Sequence, residues 1–219
     1  MDPDLHAAVE QGLPYDVTTM HDRYWTINGR SFPDTIAENG APWLPSQPYG
    51  ALVWVEPYDA GSNPLPALIR YANAGMVNHP YHPHGDHLQI IARDGRLLRG
   101  PGGEDTSFEG FTRTIGAGQT YDLFFAWNDV EAWTSGSNPV PVQIPGLQNL
   151  VFKDGVTFYS GSPYLGEKGE LPVGTTSYNE CGEFYFPWHS HALNEFQNFD
   201  EGPGGLATLA RVDPPGGCP

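Results

Sequence analysis

Two short segments hold six of the chain's eight histidines: "VNHPYHPHGDHLQIIARDG" carries His79, His82, His84 and His87, and "GEFYFPWHSHALNEF" places His189 and His191 on either side of Ser190. Imidazole is largely neutral near pH 7 and donates well to copper, zinc, iron and nickel, so a set of imidazoles with no thiolate among them points to a borderline metal held by nitrogen. In an extended chain residues i and i+2 share a face. His82 and His84 fall side by side if the backbone is extended, which Pro83 favours, and His189 and His191 do the same at the end of "FYFPW". If the two strands pair, four imidazoles aim at one place. Gly85 would permit a sharp turn or a close backbone approach next to it. A single H-x-H is an everyday surface feature; two pairs, one with further histidines on both sides, make His82, His84, His189 and His191 the expected metal ligands. His87 is read as lying beside that site or on the surface, and the isolated His6 and His21 as exposed or capping residues.

Other chemistries lack their parts. Ser190 would need an adjacent base, and the flanking histidines point to the opposite face of a strand. No G-x-S-x-G elbow, phosphate-binding glycine loop or H-E-x-x-H helix is present. Asp86 and Asp94 are spaced as turn residues, and no carboxylate pair stands out for glycoside chemistry.

The elements that must position the histidines read as strands. "RYWTINGRSF", "GALVWVEP", "ALIRYANAG", "HLQIIARDG", "FTRTIGAGQTYDLFFAW", "VPVQIP", "GVTFYSG", "GEFYFPWHSH" and "GLATLARVD" are short, rich in β-branched or aromatic residues, and bounded by Gly, Pro, Asn or Asp. Helical periodicity is confined to residues 5–11 and the stretch around 191–198. The pattern predicts one all-β domain over 1–219, a Greek-key β-sandwich or barrel with its core over about 20–213 and a loop-rich insertion over about 128–180. With 219 residues the chain can bury a sizeable core without staples. The formal charge of −16 repels nucleic acid and anionic membrane surfaces, and both are excluded as partners. No apolar run approaches the length of a membrane-spanning helix. The start "MDPDLHAAVEQG" has neither the basic nor the apolar part of a secretory signal, so the chain is expected to be cytoplasmic, already processed, or a segment of something larger. Cys181 and Cys218 are too few for a disulfide framework; they form one bridge or remain two thiols.

The stretch "NHPYHPHGDHLQIIARDGR" resembles the H-P-x-H-x-H-G signature of the last cupredoxin domain of multicopper oxidases, the laccase-like family. "YWTINGRSFPDT", "IGAGQTYDLFFAW" and "CGEFYFPWHSH…GGLATLARV" resemble further strands of that domain, the last being its closing segment. "WHSH" is also similar to the pattern of the family's first cupredoxin domain. The resemblance implies a cupredoxin-like fold, with His82 toward a type 2 copper and His84, His189 and His191 toward a type 3 pair. His79 stands where one ligand of the type 1 copper would be. The other type 1 places, normally Cys, His and often Met, hold Ser190, Glu195 and Leu206, so no type 1 copper is expected. A hard serine hydroxyl does not replace a thiolate for copper.

The family's trinuclear cluster takes eight histidines from two domains, so the four here amount to half. The resemblance therefore implies completion by another cupredoxin domain or chain, or by self-assembly, and oxidase activity only in the completed state. It also implies an extracytoplasmic setting. The leading expectation is a cupredoxin subunit of a multicopper-oxidase-like assembly, coupling one-electron oxidation to dioxygen reduction. The alternative is a degenerate structural or assembly module without oxidase activity of its own. Copper storage or delivery is disfavoured by the near absence of methionine, three in all.

Overall fold

The alternation of apolar and polar residues in "HLQIIARDG" and "TYDLFFAW" is the clearest driver of the architecture. In a computed structural model describing residues 1–128, 184–213 and 216, these segments form strands whose alternate side chains are buried. Leu88, Ile90 and Ala92 turn inward from one, and Tyr121, Leu123 and Phe125 from the other, all between 0% and 3% exposed. Burying such a leucine, isoleucine or phenylalanine is worth roughly 1.5–3 kcal/mol, which fixes the register against a one-residue slip.

Ten strands are described: β1 Val53–Val55, β2 Ala67–Ala72, β3 His79–Pro83, β4 Leu88–Arg93, β5 Arg96–Leu97, β6 Phe108–Gly110, β7 Arg113–Ile115, β8 Thr120–Phe125, β9 Phe184–Ser190 and β10 Ala207–Val212. They form two sheets, in the orders β1-β10-β9-β3-β7 and β2-β8-β4-β5, with β6 also paired to β4. β1 runs parallel to β10 and the other registered pairs are antiparallel. Aromatic contacts join the sheets: Trp188 of β9 meets the Phe125 ring edge-on at 5.3 Å, and Tyr81 of β3 meets Tyr71 of β2 at 5.1 Å. Across the same interior Arg113 donates to the Tyr121 hydroxyl (2.6 Å) and lies over its ring. The fold is an all-β sandwich, as the strand pattern predicts, and cupredoxin-like, as the resemblance implies.

The chain divides into two compact units. Val53–Trp188 with Leu209–Pro219 carries the two sheets, apart from the residues at the end of β9 and the start of β10. Met1–Leu52 with His189–Thr208 is built mostly of loops. Its one α-helix, α1 Pro3–Gln11, starts where Asp2 accepts the amides of Asp4 and Leu5, and ends at Gly12 in the left-handed region (φ 63°). Buried Arg30 replaces a sheet ladder by binding the carbonyls of Gln47, Asp34, Ala37 and Glu38 through its guanidinium.

Two expectations differ in this unit. "RYWTINGRSF" is not a strand: Asn28 and Gly29 take φ of 53° and 84°, so Ile27 and Arg30 bridge across a tight turn. The helical reading around 191–198 shrinks to a 3-10 turn at Leu193–Glu195, because the chain then folds back on itself, with the Asn198 and Glu201 amides each donating to the other's carbonyl. The insertion read over about 128–180, the strands "VPVQIP" and "GVTFYSG", and Cys181 and Cys218 lie outside the described residues, except for Asn128.

Candidate metal centre

Strand alternation decides where the histidines point. In β3 Tyr81 and Pro83 are buried, which turns His82 and the residue just past the strand, His84, to the other face. Their rings lie 4.8 Å apart, edge to face. His82 is partly buried and His84 exposed. His82 Nδ1 lies 3.1 Å from the Phe111 carbonyl oxygen and 2.7 Å from Thr112 Oγ1. A carbonyl only accepts, so the bond to Phe111 puts the proton on Nδ1 and the basic lone pair on Nε2. This is the outer bond that commonly orients a metal-ligating imidazole. The His84 carbonyl is held by the buried Trp188 indole N–H at 2.9 Å.

Gly85 makes the turn after His84 possible. Its φ is 104°, and an added Cβ would sit 3.0 Å from the Phe186 ring, so both conformation and space exclude larger residues. The turn that this glycine opens carries His87, whose ring lies against Phe111 at 3.8 Å and whose Nδ1 is 3.2 Å from Asp86. His79, at the start of β3, pairs in register with Ile115.

The second pair repeats the plan in the loop-built unit. Ser190 is fully buried, which leaves His189 partly buried and His191 exposed on the opposite side, as the alternation predicts. The two rings are stacked, 5.9 Å apart. His189 Nδ1 donates to the Ser190 carbonyl at 2.8 Å, again placing the lone pair on Nε2. Burial holds the His189 imidazole below the ordinary histidine value; the bond to the Ser190 carbonyl opposes this and the neighbouring His191 adds to it. The neutral ring is the form a metal takes.

Behind this pair lie Ser190, Glu195 and Leu206, the residues that the resemblance sets at type 1 places. The Ser190 hydroxyl donates to Glu195 Oε2 at 2.5 Å, and both side chains are buried. The Ser190 amide donates to the Leu206 carbonyl (2.9 Å), and the Leu206 amide to the Glu195 carbonyl (2.8 Å). Ser190, Glu195 and Leu206 therefore form one hydrogen-bonded group.

Each expected pair is thus side by side. β3 and β9 are neighbours in the sheet order, while His189 and His191 belong to the other compact unit from His82 and His84. Among the described residues, no three His, Cys, Asp or Glu side chains form a single group spaced to hold one metal ion. His6, 3.8 Å from Glu10 on α1, and His21, whose amide donates to Asp2, are exposed and remote in role. Phe111, Thr112 and Trp188 escaped the sequence reading as partners of the first histidine pair, and Glu195 as the partner of Ser190. Only Glu195 carries a local signal, lying five positions after the serine it binds.

No family model matches the chain, and no curated protein does. Solved structures do. A multicopper oxidase, mgLAC, is 17% identical with a TM-score of 0.51, over 94% of this chain and 40% of its own. The blue copper oxidase of Nitrosomonas europaea is 18% identical with a TM-score of 0.48, over 90% of this chain and 36% of its own. The likeness to mgLAC shows that the chain has a cupredoxin-like fold, and that it spans well under half of that protein's length.

Proposed function

We propose that this chain is a cupredoxin domain of a multicopper-oxidase-like assembly, contributing His82, His84, His189 and His191 to a copper cluster shared with another domain. The observation that carries the reading is the repeated plan of the two pairs. In each, one imidazole has its Nδ1 bonded to a main-chain carbonyl, leaving Nε2 basic, and a second lies beside it at i+2. All-imidazole donation fits copper in type 2 and type 3 settings. Copper held there would supply one-electron transfer and the binding of dioxygen. The chain's own part is to hold the rings aimed: Phe111 and Thr112 for His82, Trp188 for the backbone of His84, and Ser190 for His189.

Two pairs of donors make four, half of the eight such a cluster takes. We assign the remainder to another cupredoxin domain or chain, or to a second copy of this one. The span of this chain, 40% of mgLAC, supports that reading; an extracytoplasmic setting is part of the same proposal. A type 1 copper is not part of the proposal. Serine and a buried carboxylate bonded to each other are hard donors already satisfied, and the electron supply falls to a copper elsewhere.

The same Ser190–Glu195 bond favours one alternative, a structural or assembly module that has given up its oxidase chemistry. Copper content and optical spectra of the full chain separate the two. The oxidase-domain reading expects bound copper without an intense blue thiolate band, lost in the His82→Ala/His84→Ala double variant, and oxidase activity only on adding a domain with four further histidines. Unchanged copper in the double variant overturns it. Metal-free protein that forms ordered assemblies establishes the alternative.

A further inference from the structure

Ser190 spends every polar group it has. Its amide donates to Leu206, its hydroxyl donates to Glu195, the same oxygen accepts from the Ala192 amide at 3.3 Å, and its carbonyl takes the His189 ring. Glu195 sits in the Leu193–Glu195 turn, and the next residue, Phe196, lies against the His189 ring at 5.0 Å. The turn is itself clamped. The Leu206 amide binds the Glu195 carbonyl, and Gly205 approaches so closely that a Cβ there would fall 2.1 Å from that carbonyl oxygen. From these contacts we propose that Glu195 is a positioning residue for the His189–His191 pair, acting through Ser190 to fix the direction and tautomer of the His189 ring. The inference deepens the proposed function and rests on it for the word ligand, but the ring geometry it concerns exists without metal.

The carboxylate acts by holding the Ser190 hydroxyl from the buried side, so residue 190 cannot rotate. Its carbonyl then points steadily at Nδ1 and keeps the proton there. Without the carboxylate, a fully buried hydroxyl must seek another acceptor, and a competing bond to the main chain would disturb the loop.

The test uses the full chain and Cu(II) alone as the probe. Glu195→Ala and Ser190→Ala are each expected to weaken Cu(II) binding about 10–100-fold, the range typical of outer partners of ligating histidines. The double variant should do no worse than either single one, because both remove the same bond. Glu195→Gln keeps an acceptor oxygen and is expected to restore near-parent binding. In the metal-free protein, nitrogen–proton correlation spectra should show His189 protonated at Nδ1 in the parent and in Glu195→Gln, and a mixture of tautomers in Glu195→Ala. A simple loss of stability would not produce that mixture. If Glu195→Ala does not fold, Ser190→Ala gives the same readings without emptying the place of the carboxylate. Unchanged tautomer and unchanged Cu(II) binding overturn the positioning role. A His189→Ala variant that binds Cu(II) as the parent does overturns the metal reading instead, and the tautomer spectra still decide on Glu195.

Discussion

Trp188 is the residue through which the interior of the sandwich reaches the first histidine pair, and Trp188→Phe measures that link. Its side chain is 1% exposed, its indole N–H donates to the His84 carbonyl at 2.9 Å, and its ring meets Phe125 edge-on. Phenylalanine keeps the aromatic contact, worth about 0.5–1.5 kcal/mol, but has no donor. The His84 carbonyl then loses its partner, a cost of about 1–3 kcal/mol where water cannot replace it. The missing half of the indole leaves a small gap, adding roughly 1–2 kcal/mol. The sum is a loss of about 2–5 kcal/mol.

Guanidinium unfolding gives the stability change, and Cu(II) titration gives the local one. If the carbonyl bond fixes the His84 backbone, copper affinity falls even well below the denaturant midpoint, where the variant remains folded. A loss under about 0.5 kcal/mol, the level of an ordinary surface change, would refute the claim that the indole bond is buried and used. A large loss with unchanged copper affinity would refute the link to His84 while leaving the packing argument intact.

Two further perturbations test the neighbouring supports. Gly85→Ala combines φ of 104° with a Cβ placed 3.0 Å from the Phe186 ring, so it should destabilise by about 1–3 kcal/mol and disturb the His82–His84 pair; equal stability in urea unfolding would contradict the close approach. Asp2 accepts the amides of His21 and Leu5 and the Tyr15 hydroxyl, which hold its carboxyl well below the ordinary range. Because the folded value is depressed, this support is complete above the ordinary carboxylate pKa and is lost as pH falls below it toward the depressed value. The protection factor of the Leu5 amide, its exchange corrected for the intrinsic rate, should therefore fall on acidification, and Asp2→Asn should flatten that fall.

Much of the fold was legible because it depends on local pattern. The alternation in β4 and β8, Asp94 as a turn residue between β4 and β5, and the helical periodicity over residues 5–11 are all local signals. The histidine pairs were legible for the same reason, since i and i+2 need only one extended strand. Contacts made at long range were not. Thr112 lies thirty residues from His82 and nothing near either announces the other. Trp188 was visible only as an aromatic before a histidine, although its indole sits on a carbonyl 104 residues away. "RYWTINGRSF" misled because its β-type composition is overridden by the Asn28-Gly29 turn and by an arginine that buries its charge on carbonyls. Ser190 and Glu195 stood out as departures from a known pattern, but that they bond to each other required coordinates.

The shared design of the two pairs carries a physical consequence. In each, the ring whose Nδ1 is tied to a carbonyl is the partly buried one, and the exposed ring follows two residues later. Burying all the imidazoles inside one domain would desolvate several basic nitrogens with no cation to compensate them, which is costly. In the proposed assembly, leaving His84 and His191 at the surface would postpone that desolvation until another domain covered them and metal offset it. The buried rings set direction beforehand, and the exposed rings are the ones whose surroundings change on completion. A site closed by a second domain suits this division of burial, whereas a site complete within one domain would bury all of its ligands alike.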